Sequence, residues 1–192
     1  MGILLTSLLL TACQQGSLSQ NKQAPAQSWH LNQSHSSISI ISTKNNKISE
    51  VFNFKTFSGK ISSTGYLQIE LDLNSLETNI PIRNERMQKH LFHTELYPTV
   101  DIHTQLKPED LNIGVHNISF DVDFHGVSAM LQAEFMVFEQ FGNKVITLHK
   151  PLIIKAETFG LENGINTLKN IAKLQSIDFT VPVNLILNFE MQ

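Results

Sequence analysis

The stretch YLQIELDLNSLETNIPIRNERMQKHLFHTELYPTVDI, residues 66–102, decides how the chain folds. Its first part alternates: Leu67, Ile69, Leu71 and Leu73 stand between Gln68, Glu70 and Asp72, so one face is apolar and the other wet. A period of two is the mark of a half-buried β-strand. From Ser75-Leu76-Glu77-Thr78 through Pro81 the alternation stops. Arg83-Asn84-Glu85-Arg86-Met87, Leu91-Phe92 and Tyr97 then set charges beside Met, Leu and Phe at spacings near three and four. That spacing predicts a short amphipathic helix laid over the end of a sheet. Pro98 marks its exit, because the residue before a proline is pushed out of the helical region. Val100 and Ile102 resume the alternation as the next strand.

Outward from this stretch the pattern is strand after strand. Upstream, Trp29-His30-Leu31 opens, Ser37 to Ser42 alternates Ser with Ile, and Lys44-Asn45-Asn46-Lys47 reads as a turn. Phe52 and Phe54 share a face opposite Asn53 and Lys55. Downstream, Phe120, Val122 and Phe124 oppose Asp121, Asp123 and His125, and Gly126 breaks the run. Ala129 to Phe138 extends again, and Gly142-Asn143 turns the chain into Lys144 to Leu148. A second helical insert opens at Asn163-Gly164, with Leu168, Ile171, Ala172 and Leu174 on one face. The last strand carries Val181, Val183, Leu185, Leu187 and Phe189 on one side. Pro182 places its start at an edge or at the beginning of pairing. The sum is an all-β chain of about eight strands with two short helical inserts, and a sandwich or a closed barrel satisfies it.

With 192 residues, the chain makes one domain with a sizeable core. Net charge is −3 and the 14 basic residues are scattered, which argues against nucleic acid as a partner. Twelve Phe against one Trp suits a greasy interior. The front is different. Ile3 to Leu10 is largely apolar, and Leu10-Thr11-Ala12-Cys13 resembles a bacterial lipoprotein processing box. Residues 1–12 are then a signal peptide, and its missing basic segment places the true start upstream. Cys13, the only cysteine, is the lipidation site, and 13–28, rich in Gln, Ser and Asn, is a flexible linker. Residues 29–192 form the barrel domain. Acylation tethers such a protein to a membrane without a spanning helix. Gln14 after the cysteine points to the outer membrane of a bacterial envelope, with the domain facing the periplasm.

Trp29 with Ser34-His35-Ser36, Phe57-Ser58-Gly59, Ser75-Leu76-Glu77-Thr78, Ile82 to Met87, Leu91-Phe92 and Tyr97-Pro98 occur in this order. His125-Gly126, Phe159-Gly160, the Leu168 to Leu174 helix and Val181-Pro182-Val183 follow them. By these motifs the chain resembles the YceI-like family of polyisoprenoid-binding proteins, over nearly all of Trp29 to Phe189. His93 departs from the acidic residue common at that place, and Lys155 to Glu157 matches the lead-in to Phe-Gly only loosely. The resemblance implies a lipocalin-like antiparallel barrel, closed at one end, around an apolar tunnel. The ligand it implies is an isoprenoid lipid of the quinone or polyprenyl-phosphate kind, with no other cofactor.

Phe52, Phe54, Leu67, Ile69, Leu71, Phe120, Val122, Phe124, Val183, Leu185, Leu187 and Phe189 are the candidates to line that tunnel, or else they fill a dry core. Arg83 and Arg86 are candidate headgroup contacts. The alternative for them is pairing with Glu85, Glu95 or Asp72 to pin the insert. His90 and His93, with His103 downstream, do not make a metal set, because zinc wants three or four ligands. Ser34-His35-Ser36 cannot act as a nucleophile and base if it is extended, since neighbours in a strand point to opposite faces. No Gly-x-Ser-x-Gly, phosphate loop or His-Glu-x-x-His occurs. The reading is therefore a non-catalytic carrier or store. Its competitor is a structural or interaction module with a filled barrel, and the oligomeric state is left open, a dimer included.

Overall fold

The computed structural model describes residues 27–192. Cys13, the signal segment and nearly all of the linker lie outside the described residues. Strand β1 spans Trp29–Leu31, β2 Ser37–Lys44, β3 Ile48–Phe54, β4 Phe57–Ile61, β5 Tyr66–Asp72 and β6 Leu76–Glu77. Helix α1, Pro81–Met87, runs directly into a wider π-type segment, Gln88–Phe92. Strands β7 (Thr99–Gln105), β8 (Gly114–Phe124), β9 (Val127–Gln140), β10 (Asn143–Leu148) and β11 (Leu152–Lys155) follow. Helix α2, Glu162–Ile171, and strand β12, Thr180–Met191, complete the order.

The twelve segments act as eight strands of one antiparallel barrel. β1 and β2 are halves of one strand, since both pair with β12, at Trp29↔Met191 and at Leu185↔Ile38. A 3-10 turn at Gln33–His35 bends the strand between them. β3 and β4 make the next bent strand, with β3 on β2 and β4 on β1. β5 lies on β4 and its continuation β6 on β3. β7, β8, β9 and β10 then follow in chain order. β10 and β11 both pair with β12, and the β1–β12 ladder closes the ring. Closure removes the free edges of the main ring, which is how a barrel disposes of unpaired backbone donors and acceptors, and among the described residues only the short β6 and β11 keep an unpaired side.

Two local expectations differ from what the chain does, and a third is met in one of its two forms. The first insert leaves the helix at His93, well before Pro98. There the backbone turns left-handed, at φ 49°, and the His93 N–H bonds back to the Gln88 carbonyl. In the second insert the inward face is Gly164, Ile165 and Leu168, while Ile171 is exposed. Ala172 and Leu174 reach the interior from the turn after the helix. Pro182 takes the second of its two expected places, the beginning of pairing: on one side β11 pairs with it through Ile153. The ladder to β2 begins at the next residue, Val183, so the missing N–H falls where that pairing starts.

The helices meet at one end of the barrel through Gly164. A Cβ there would stand 2.8 Å from the His90 carbonyl oxygen and 2.9 Å from Leu91 Cα. Only glycine lets the α2 backbone come so near the π-type segment.

Candidate functional site

The inward faces of the strands do not meet. Between them lies a cavity of about 470 Å³, within the ~300–1,000 Å³ range of ligand pockets. Interiors of this kind normally pack with few voids larger than a water molecule, so an opening of this size is a feature of the fold. The interior is open rather than filled.

The period of two dictates what lines it. β3 contributes Phe52 and Phe54, and β5 contributes Leu67, Ile69 and Leu71. β8 contributes Phe120, Val122 and Phe124, and β12 contributes Val183, Leu185, Leu187 and Phe189. All of the apolar positions marked in the sequence thus lie on one wall. That wall also includes positions not marked: Ile38 and Ile40 of β2, Val100 and Ile102 of β7, and Leu131, Phe135 and Val137 of β9. The same alternation in those strands carried their signal. Met87, Leu91 and Phe92 from the first insert and Phe159, Leu161 and Ile165 around α2 cover one end. At the other end Leu106, Leu111 and His116 form the floor, with His116 Nε2 2.7 Å from the Asn112 carbonyl.

The wall turns polar toward the β2–β3 turn. Along β2 the inward residues read Ile38, Ile40, Ser42, Lys44, and along β3 they read Phe54, Phe52, Glu50. Arg83 and Arg86 of α1 and Asp178 ahead of β12 join them there. Lys44 Nζ lies 2.6 Å from Glu50, and Arg83 Nη1 donates to both Glu50 oxygens at 3.0 and 2.9 Å. These contacts, Lys44 first, hold the Glu50 carboxyl below its ordinary pKa. Arg83 Nη2 donates to the Thr78 carbonyl at 2.7 Å, and the guanidinium stacks over the Phe52 ring at 4.6 Å. The acidic partner of Arg83 is therefore Glu50, not Glu85, Glu95 or Asp72. Arg83 Nε stays buried with no hydrogen-bond partner, and Arg86 has no ion pair among the described residues. Arg83 Nε is thus an orphan donor buried within the wall, and the Arg86 guanidinium lines this end of the cavity.

The other polar candidates go elsewhere. His93 pairs with His125, not His90, and His103 lies by Asp121 and Asp123 on β8. Among the described residues no group of three or more His, Cys, Asp or Glu is placed to hold a metal ion. Ser34 and His35 belong to the 3-10 turn, and Ser36 leaves it in an extended conformation. In the turn Asn32 Oδ1 accepts from the Ser34 N–H and His35 Nδ1 sits 3.2 Å from Asn32 Nδ2. That motif is a strand bend, held by an Asx cap.

The model of the YceI-like domain matches residues 29–189. A polyisoprenoid binding domain from Saccharophagus degradans, implicated in plant cell wall breakdown, is 32% identical. The match spans 85% of this chain and 98% of that one, with a TM-score of 0.81. Burkholderia cenocepacia BcnA is similar at 16% identity, over 82% of this chain and 98% of its own, with a TM-score of 0.68. The Campylobacter jejuni YCEI protein is 17% identical, over 73% and 84%, with a TM-score of 0.53. These last two bear on the fold alone. Among curated proteins none matches the chain.

Proposed function

The chain belongs to the YceI-like family, and from that premise we propose that it binds an isoprenoid lipid inside the barrel, as a carrier or store. The observation that carries the reading is the open apolar interior. Water needs two to four polar partners to occupy a cavity, and this wall of Phe, Leu, Ile and Val offers almost none. A prenyl chain needs none, and each methylene-sized piece taken from water contributes about 0.8 kcal/mol. A filled-barrel interaction module has no use for such a space.

The headgroup belongs at the polar end. The Arg86 guanidinium lines this end without an ion pair among the described residues, so it suits the oxygens of a quinone or of a polyprenyl phosphate. Arg83 is already committed to Glu50, Thr78 and Phe52. Arg86 is therefore the cleaner probe. Cys13 would carry the acyl anchor, which holds the barrel at a bacterial envelope membrane facing the periplasm.

Native mass spectra of the chain from a bacterial host, before and after organic extraction, test the reading. The expected result is a discrete added mass that extracts as a prenyl lipid, with occupancy reduced several-fold by Arg86→Ala and cooperative unfolding kept. A chain that stays empty when offered quinones and polyprenyl phosphates would overturn it.

A further inference from the structure

The barrel end opposite the polar mouth carries a side chain that neither fold nor cavity uses. Strands β9 and β10 are joined by the two-residue turn Phe141-Gly142, with φ of 52° and 82°. Asn-Gly or Asp-Gly is the ordinary choice for a turn with both φ values positive. A bulky residue with positive φ is an outlier. Phe141 is also 98% exposed, so it packs against nothing among the described residues. Backbone and solvent both argue against phenylalanine here, and an outlier of this kind is grounds for a functional hypothesis.

Its neighbours extend the apolar surface. Val137 points into the cavity, so Phe138 and Met136 point outward, and the ladders set Val145 beside Phe138 and Val115 beside Met136. Phe138 is 47% exposed, Val115 45%, and Ile113, just outside the ladder, 68%. The first strand also begins at this end, where Trp29 pairs with Met191 at the finish of β12. The mouth residues Lys44 and Asp178 lie by the start of β12. Its twelve residues separate the two ends by about 36 Å, at ~3.3 Å per residue. Fifteen residues lie between Cys13 and Trp29. A linker of that length has a root-mean-square span of roughly 20–24 Å, less than the distance between the ends, so an anchor at Cys13 would hold this end nearer its membrane than the mouth.

We propose that the hairpin end rests on a lipid bilayer, with Phe141 inserted among the headgroups and Phe138, Val115 and Ile113 at the boundary. The proposal rests on the anchored reading given above. Its driving force is apolar. The nearby Lys144 is paired with Glu139, and Lys107 stands close to Asp110, whose carboxylate takes the Lys107 N–H. Among the described residues the lysine beside the tip, Lys144, is ion-paired, so binding should not follow anionic lipid or salt. The mouth then faces away from the anchoring membrane, open to a partner or a second membrane.

The test uses the full chain, purified with whatever modification Cys13 carries, on vesicles of phosphatidylethanolamine and phosphatidylglycerol. An environment-sensitive fluorophore is attached through Phe141→Cys and, at the β2–β3 turn by the mouth, through Asn46→Cys. The expected result is a blue shift and at least a two-fold rise at position 141, quenched by lipid-borne doxyl groups and unchanged by salt, with neither at position 46. Phe141→Asn should keep or raise the melting temperature and shorten residence on the vesicles. A water-like signal at 141 on bound protein overturns the proposal. So does shielding at 141 without doxyl quenching, together with a doubled mass, which would mean a second copy covers the tip. The mass at Cys13 decides the anchor separately, and vesicle titration of Cys13→Ala reads the docking surface without it.

Discussion

His125 occupies the turn between β8 and β9 with φ 54°, and its Nε2 lies 3.0 Å from His93 Nδ1. On its other side Nδ1 is 3.2 Å from the Phe159 carbonyl. A carbonyl only accepts, so Nδ1 carries the proton and Nε2 accepts from His93 in the neutral pair. A second proton sets N–H against N–H. Burial, first, and the charge of His93 hold the His125 pKa below its ordinary 6.5, although the Phe159 carbonyl pulls the other way. Tyr97, Asp101 and Asp123 surround the same hollow, and the carboxylates do not reverse that direction. A histidine with a lowered folded-state pKa contributes its full stability above about 6.5 and loses it as pH falls from there to the folded value. Melting temperature should therefore drop between pH 7.5 and 5 for the native chain, and less for His125→Asn, since asparagine tolerates positive φ. Equal drops in the two proteins would remove the pair from the account. Neither this pair nor the Arg83–Glu50 pair was legible in the sequence. Each joins residues more than thirty apart, and periodicity carries no information about which distant strands meet.

Among the elements, the contact of α2 with the Gln88–Phe92 segment is the tightest test of packing. Alanine is favoured over glycine in a helix by about 1 kcal/mol, yet at Gly164 the new carbon meets backbone atoms at 2.8 and 2.9 Å. Backbone cannot swing aside as a side chain can, so the overpacking cost of about 1–3 kcal/mol wins. Gly164→Ala should lower stability in urea unfolding, and a gain would show that the helices can part without strain. Strands were the legible elements, because a half-buried strand writes its face into every second residue, as in Leu67, Ile69 and Leu71. The bends were not legible. Asn32 to His35 reads as polar strand or loop until its cap is seen. The insert after Arg83 was legible as a helix, but its end at His93 depends on a left-handed residue that no pattern announces.

At the scale of the whole barrel, alternation told which side chains face inward but not whether they meet, because interior width follows from strand number and tilt together. The open space permits a clean variant. Ile118 faces the cavity and its cross-strand neighbour is the small Ala133, so Ile118→Trp has room beside it. It should block lipid uptake, read as lost added mass, while the melting temperature holds or rises. Unchanged occupancy would mean that the lipid does not run past this level. The pairing of Trp29 with Met191 has a consequence of another kind. From Trp29 to Met191 the strands make one circuit of the ring, and the last finishes beside the first. Which strand comes first is then a matter of where the circle is cut, and a fusion joined after Met191 stands at the hairpin end, out of the way of the entrance.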